Sequence, residues 1–160
     1  MQSLRHLVVG TDFSECAEHA LDSAIMLGNL SLARITLVHV CALSAELDLP
    51  EAMFSASRDE DLLQRCGEQL ELAVAARARC GVPVTGVLRS GKPWEKISNV
   101  AAEVGASVIV VGRNGAGRGA RGELGTVAAR LVQGASRPVL VIPSDLARGL
   151  RNLDATGGAL

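Results

Sequence analysis

The chain alternates between short, continuous apolar runs and longer segments in which apolar residues recur every three or four positions. Four of the runs are apolar at successive positions, which is typical of strands buried on both faces of a parallel sheet. The remaining run alternates and contains Pro83 and Gly86, so it suits an edge strand. In chain order the runs are HLVVGTD (6–12), RITLVHV (34–40), VPVTGVL (82–88), ASVIVVG (106–112) and RPVLVIP (137–143).

The segments between these runs carry the period of an α-helix. Ser14 precedes an acidic first turn, Pro93 suits the first turn of a later helix, and Gly81 offers a stop. The strict alternation of strand and helix predicts one α/β domain, an open five-stranded parallel sheet with helices on both faces, of Rossmann-like type. The expected helices are 14–28, 58–79, 93–104 and about 126–135.

The 160 residues suit a single domain, which we place at 1–143. The residues after it, 144–160, show no sustained apolar pattern and are expected to form a flexible tail. The longest irregular segment, 41–56, is long for a connection inside a compact domain. We therefore expect it to be a mobile flap or a binding loop.

Charge and composition argue against two classes of partner. With 16 basic and 17 acidic residues the formal net charge is −1, and there is one Trp, two Phe and no Tyr. A protein that binds nucleic acid through phosphates or base stacking normally shows a basic excess or exposed aromatic residues. The sequence contains no basic amphipathic helix of the kind that binds membranes. Its first apolar stretch, about six residues, is too short for the core of a signal peptide or for a transmembrane span.

The cysteines lack the spacing of a metal or redox motif. No CxxC pair occurs, and Cys16 and Cys66 fall on the apolar faces of expected helices. Ordinary buried thiols in a cytosolic protein are the favoured interpretation, with a metal or redox role as the alternative. Cys41 has no sequence neighbour that would clearly activate it. His39 lies inside an apolar strand, which favours a packed, hydrogen-bonded core residue over a catalytic base.

Candidate chemistry gathers at the ends of the strands. Ligands of open α/β sheets bind beyond the carboxyl ends of the strands, where the strand order reverses. There the chain has GTDFSE (10–15), HVCA (39–42) and a glycine-rich segment that runs from Gly112 to Thr126. Glycines let backbone N–H groups approach a ligand, and a helix N-terminus at Thr126 favours phosphate. Asp12 is placed to accept from a hydroxyl such as that of a ribose.

Plainer alternatives stay open for each of these residues. Loop glycines often serve only the loop, and Thr126 often would be only a helix cap. Asp12 could cap the first helix instead of binding a ligand. The basic side chains near the glycines could draw anions or simply be solvated; they are Arg113, Arg118 and Arg121.

Several enzyme motifs are absent from the sequence. There is no GxxxxGK[ST] phosphate loop, no GxGxxG after the first strand and no GxSxG nucleophile turn. With three histidines in the chain, a Ser-His-Asp triad is also disfavoured. These absences count against the common phosphotransferase, dehydrogenase and hydrolase designs.

The spacing Gly112-x2-Gly115-x9-Gly125-Thr126 resembles the nucleotide-binding motif G-2x-G-9x-G-(S/T) of the universal stress protein (UspA) family. Other segments are similar to that family as well, from about residue 4 to 143. They are HLVVGTDFSECAEHAL, ITLVHV, SGKPWEKI, ASVIVVGRNG and SRPVLVIP.

The resemblance implies a small cytoplasmic α/β protein of the ATP-binding branch, with an adenine nucleotide alpha hydrolase-like fold. It implies ATP, with Mg²⁺ as an option, and a homodimer formed through the last strand, 137–143. By position, Asp12 would contact the ribose and Val40 would offer its backbone to adenine. The full set of implied site residues is Gly10, Thr11, Asp12, Val40, Val111, Gly112, Arg113, Asn114, Gly115, Gly125, Thr126 and Val127.

One departure from the family pattern is that Arg113 and Asn114 stand where many members have Ser-His. The change keeps polarity and adds charge, so we expect phosphate binding to persist. The leading hypothesis is a nucleotide-dependent regulatory protein of the stress response. The alternatives are a slow ATPase or phosphotransferase using nearby arginines, and a dimerisation module without bound nucleotide.

Overall fold

The computed structural model describes residues 4–43, 50, 55–116 and 123–144. Most of the expected flap at 41–56, both Arg118 and Arg121, and the expected tail beyond residue 144 lie outside these residues.

Five strands and four helices alternate along the described chain, as the apolar pattern predicts. The strands are β1 (His6–Thr11), β2 (Arg34–Cys41), β3 (Val84–Ser90), β4 (Val108–Gly112) and β5 (Val139–Ile142). The helices are α1 (Glu15–Ser31), α2 (Ala56–Ala75), α3 (Pro93–Glu103) and α4 (Thr126–Gly134).

All strand pairs are parallel, and the order across the sheet is β3-β2-β1-β4-β5. The alternating run does form an edge strand, β3, as expected. The run at 137–143, expected to be buried on both faces, instead forms the opposite edge as β5, where Leu140 is exposed. The chain proceeds from β1 to β2 and β3 in one direction, then crosses back to β4 on the other side of β1. The order therefore reverses between β1 and β4, and this is where such sheets bind ligands.

Helices cover both faces of the sheet, which explains why the strands are apolar at successive positions. Leu7 packs in the layer beneath α1 and α2, whereas its neighbour Val8 packs beneath α3 and α4. Both side chains are fully buried. Since adjacent residues of a strand point to opposite faces, each layer needs its own apolar set.

The helix ends differ from the sequence prediction by a few residues. Helix α1 continues to Ser31, and Leu32 is its C-cap residue, with a φ of 54° in the left-handed region. Helix α2 ends at Ala75, and the chain then leaves through hydrogen-bonded turns to Gly81, where φ is +84°. Helix ends depend on local capping geometry more than on the apolar period, so this error is expected.

The apolar side of α3 packs in the same layer as Val8. Ile97 and Ala101 are buried, but Trp94 is half-buried. The guanidinium of Arg130 on α4 lies 5.6 Å from the centre of the indole ring, a cation–π distance. Across the described helices, none combines the length and the apolar character that crossing a bilayer requires.

Candidate functional site

A cleft of about 490 Å³ opens at the carboxyl ends of the strands, at the point where their order reverses. Its lining includes every site residue expected from the sequence. These are Gly10, Thr11, Asp12, Val40, Val111, Gly112, Arg113, Asn114, Gly115, Gly125, Thr126 and Val127. The fold thus brings together three segments that are far apart in the chain; Asp12 and Ala116, for example, are 104 residues apart.

The glycines of the motif allow segments of the protein to approach each other. A Cβ on Gly112 would lie 2.8 Å from the Cys16 thiol and 2.9 Å from the Cys16 carbonyl oxygen. A Cβ on Gly125 would lie 3.1 Å from the carbonyl oxygen of Arg113, to which the Gly125 N–H donates at 2.8 Å. The close packing of α1 against β4 therefore requires Gly112 even without a ligand, and a Cβ on Gly125 would be tight against the segment after β4.

Asp12 connects the end of β1 to the glycine-rich loop. Its Oδ1 accepts from the backbone N–H of Ser14 at 3.0 Å and from the Ser14 hydroxyl at 2.5 Å. Its Oδ2 accepts from the backbone N–H of Ala116 at 2.7 Å. Helix α1 is capped by Ser14, whose hydroxyl accepts from Ala17, so Asp12 is not the cap. Its carboxylate is exposed at the mouth of the cleft.

The N-terminus of α4 faces the same cleft. Gly125 occupies the N-cap position and, lacking a side chain, supplies no capping hydrogen bond. The side chain of Thr126 is exposed at the first helical position. The first-turn N–H groups and the positive end of the helix dipole are thus available to an anion.

Asn114 joins the two described ends of the glycine-rich loop. Its side chain lies 3.1 Å from the carbonyl oxygens of both Arg113 and Glu123, and its amide nitrogen donates to both. With the contact between Asp12 and Ala116, this fixes the loop at both of its described ends beside the cleft.

One side of the cleft is apolar. Val40 and Val111 project from the sheet, and Pro93 and Ile97 come from the first turns of α3. Pro93 and Ile97 are not among the site residues expected from the sequence, although both lie in the segment SGKPWEKI that carries part of the resemblance. The other lining residues outside the expected set are Ala17, His39, Ala116 and Ala128.

His39 is hydrogen-bonded, as expected, but it is half-buried and borders the cleft instead of lying in the core. Its Nδ1 lies 2.8 Å from the carbonyl oxygen of Thr11. Because a carbonyl only accepts, Nδ1 carries the proton, and Nε2 of the neutral ring has a lone pair. The ring also lies against Phe13, with 4.4 Å between ring centres.

The expectation of buried thiols holds for Cys16, Cys41 and Cys66, while Cys80 is half-buried. The fold also brings three possible metal ligands together, which their spacing in the sequence does not show. The ligand atoms of His39, Cys41 and Cys66 all lie within 4.8 Å of one another.

The family model described as the universal stress protein family matches residues 3–143, most of the chain. The chain belongs to the universal stress protein family. A curated relative is the universal stress protein YxiE of Bacillus subtilis, which is 30% identical over 145 residues. That alignment covers 85% of this chain and 97% of the relative.

Solved universal stress proteins share the fold. The structure of a family member from Burkholderia pseudomallei is 30% identical, with a TM-score of 0.69 and coverage of 89% of this chain and 98% of that one. The universal stress protein from Archaeoglobus fulgidus in complex with dAMP has a TM-score of 0.64 at 24% identity, and the match covers 88% of this chain and 99% of that one. The structure of a universal stress protein in complex with cAMP has a TM-score of 0.66 at 24% identity, and the match covers 88% of this chain and 98% of that one.

Proposed function

We propose that this universal stress protein binds an adenine nucleotide, and specifically ATP, in the cleft between β1, β2 and β4. The observation that carries the proposal is that one cleft contains the Asp12 carboxylate, the uncapped N-terminus of α4 and an apolar side. A carboxylate suits ribose hydroxyls, a helix N-terminus suits phosphates, and an apolar side suits a purine. The relatives solved with cAMP and dAMP support the adenine class.

In this arrangement Val40 and Val111 border the adenine and nucleoside, and Asp12 with Gly10 and Thr11 borders the ribose. The phosphates would be held by the segment after β4 and by the first turn of α4. Residues for that role are Gly112, Arg113, Asn114, Gly115, Gly125, Thr126 and Val127. Asp12 and Thr126 offer oxygen atoms, which Mg²⁺ prefers, so a Mg²⁺ carried by ATP would contact them through water.

We propose binding as the function, not turnover. Among the described cleft residues, Asp12 and Arg113 are the side chains with a full charge, and efficient phosphoryl transfer uses more. The contacts of Asp12 with Ala116 and of Asn114 with Glu123 suit a regulatory role, in which bound nucleotide changes these contacts and so the choice of partner.

Isothermal titration calorimetry with adenosine, AMP, ADP and ATP tests the proposal. Affinity should rise along that series because each phosphate adds contacts with α4 and the loop. Saturation with ATP at 100 times its Kd should raise the free energy of unfolding by about 2.7 kcal/mol. No binding of any of the four ligands would refute nucleotide binding, and equal affinity for adenosine and ATP would refute the phosphate assignment.

The variant Asp12→Asn should weaken ATP binding about 10- to 100-fold, the size of one hydrogen bond to a charged group. Asp61→Asn is the matched control, since Asp61 is exposed on α2 and outside the cleft. Release of phosphate from bound ATP in a single-turnover experiment would favour the slow-ATPase alternative.

We also propose a homodimer formed through the 137–143 segment. Strand β5 has β4 on one side and, among the described residues, no strand on the other. Leu140 at its centre remains 36% exposed. An open apolar edge strand is a ready surface for pairing with a second copy.

A further inference from the structure

A cluster of three side chains lies beside the cleft, on the face of the sheet that α2 covers. His39 and Cys41 are two residues apart on β2, so their side chains point to the same face. Cys66 comes from α2, which packs over β2 and β3. The imidazole nitrogen and the two sulfur atoms lie within 4.8 Å of one another.

We propose that His39, Cys41 and Cys66 form a binding site for a thiophilic divalent cation such as Zn²⁺. Thiolate and imidazole are the ligands that Zn²⁺ takes in proteins, and three protein ligands leave its fourth tetrahedral position to water or an external ligand. In a tetrahedral zinc site the ligand atoms lie roughly 3.5–3.8 Å apart, as bonds of about 2.0–2.3 Å require. Tetrahedral coordination therefore requires the distances between the three ligand atoms to shorten by about 1 Å at most.

A hydrogen bond sets the tautomer of the histidine. Its Nδ1 lies 2.8 Å from the carbonyl oxygen of Thr11, so Nδ1 carries the proton and Nε2 keeps the lone pair that a metal ion needs. A backbone carbonyl in this position is a common partner of zinc-bound histidines, because it fixes the tautomer and the ring orientation. The Phe13 ring also packs against this imidazole, with 4.4 Å between ring centres.

Burial and charge favour the same class of ion. Cys41 is 2% exposed and Cys66 is 6% exposed, so a cation here is largely removed from water. Two thiolates neutralise the charge of a divalent ion, which avoids the cost of a net buried charge. Soft sulfur ligands disfavour Mg²⁺ and Ca²⁺, so this site is chemically distinct from any Mg²⁺ that accompanies a nucleotide.

The test uses the reduced, metal-free full chain without nucleotide, so that its result is independent of the proposed ATP site. Titration with Co²⁺ should give the thiolate-to-cobalt charge-transfer band and the visible bands of a tetrahedral site, saturating at one ion per chain. Zn²⁺ should displace the cobalt, and excess Mg²⁺ should not.

The variants Cys41→Ser and Cys66→Ser should each lower the Zn²⁺ affinity by at least on the order of 100-fold, more than is usually lost when only a group that hydrogen-bonds to a ligand is changed. Cys80→Ser is the control because Cys80 is half-buried and its thiol bonds to the Val82 carbonyl, away from the cluster. Circular dichroism confirms the fold of each variant.

The absence of a charge-transfer band in folded, reduced wild-type protein would overturn the proposal without reference to any variant. So would a band that persists in Cys66→Ser. A disulfide between Cys41 and Cys66 that forms in air, with no metal uptake after its reduction, would identify a thiol pair instead of a metal site.

Discussion

At the residue scale, the glycine motif combines two different physical requirements. Gly112 is needed because the first turn of α1 lies directly against β4, at the backbone of Cys16. Gly115 is needed because the Asp12 carboxylate occupies the place of its Cβ, at 2.6 Å. One glycine therefore serves the packing of the fold, and the other serves the geometry of the cleft.

These requirements can be separated by substitution. Gly112→Ala should lower the free energy of unfolding by about 1–3 kcal/mol, the usual cost of overpacking. Gly115→Ala should leave stability within about 0.5 kcal/mol but weaken ATP binding, because Asp12 must move away from the loop. Urea unfolding and calorimetry measure the two effects. Gly134→Ala is the control, since a Cβ there meets nothing within 4 Å. Equal losses of stability in both cleft variants would contradict the distinction.

A second residue-scale feature lies at the amino end of the sheet. His6 is 6% exposed, and its Nδ1 accepts from Arg34 Nε at 3.0 Å. Its Nε2 lies 2.8 Å from the hydroxyl of Thr36, to which it donates in this tautomer. Burial and then the positive charge of Arg34 lower the pKa of His6 below 6.5, against a smaller opposing effect from a backbone hydrogen bond with Val104. His6 is therefore held neutral in the fold.

The pH dependence of stability follows from this pKa. At pH 8, His6 is neutral in both the folded and the unfolded chain. As the pH falls below 6.5, the unfolded chain binds a proton that the folded chain resists, so the free energy of unfolding decreases. His6→Gln should show a smaller decrease between pH 8 and pH 5 in urea unfolding. A constant difference between wild type and variant across that range would contradict the assignment.

At the element scale, ion pairs connect two helices, and one edge strand of the sheet remains exposed. Arg77, in the turn after α2, pairs with Glu18 at 2.5 Å and with Asp22 at 3.2 Å, both on α1. This contact joins the two helices of one face at their surface. At the edge of the sheet formed by β5, the side chain of Leu140 is exposed to solvent.

The proposed dimer predicts a specific effect at that edge. Leu140→Lys should shift the protein toward monomer, because it places a charge in the centre of an apolar strand edge. Size-exclusion chromatography with light scattering measures the change. Leu72→Lys is the matched control, since Leu72 is 70% exposed on α2, which packs on the other half of the sheet. A dimer that tolerates Leu140→Lys would place the interface elsewhere.

At the scale of the whole molecule, two apolar layers share one sheet. The layer under α1 and α2 and the layer under α3 and α4 are connected through strands that are buried on both sides. Because each central strand contributes to both layers, loss of one layer should remove the support of the other. The domain should therefore unfold in a single transition.

Leu7→Ala tests this cooperativity. Leu7 is fully buried in the layer under α1 and α2, and its truncation should cost about 2–5 kcal/mol. The single tryptophan, Trp94, packs against the opposite layer. Its fluorescence should report the same lowered urea midpoint as circular dichroism. A Trp94 midpoint that stays at the wild-type value would show that the layers unfold separately. Leu30→Ala, at a position 81% exposed, is the control.

Much of this protein was determined by local sequence pattern. Successive apolar residues identified the central strands β1, β2 and β4, because a strand buried on both faces leaves few polar positions. The same pattern at 137–143 was misleading, since β5 is an edge strand and Leu140 is 36% exposed. Pro83 with Gly86 identified the other edge strand, β3. The spacing from Gly112 to Thr126 placed the cleft, since the carboxyl ends of parallel strands meet at one edge of the sheet. The ends of α1 and α2 were less accurate, because capping and turn geometry override the apolar period there.

Tertiary structure alone decided the contacts between distant segments. The sequence does not show that Gly112 lies against Cys16, that Asp12 bonds to Ala116, or that Cys66 lies beside His39 and Cys41. Each of these contacts depends on how a helix packs over the sheet, which is set by the shapes of many side chains at once. The periodicity of the sequence therefore fixes the elements and the edge where they meet, and packing fixes which atoms face one another across the cleft.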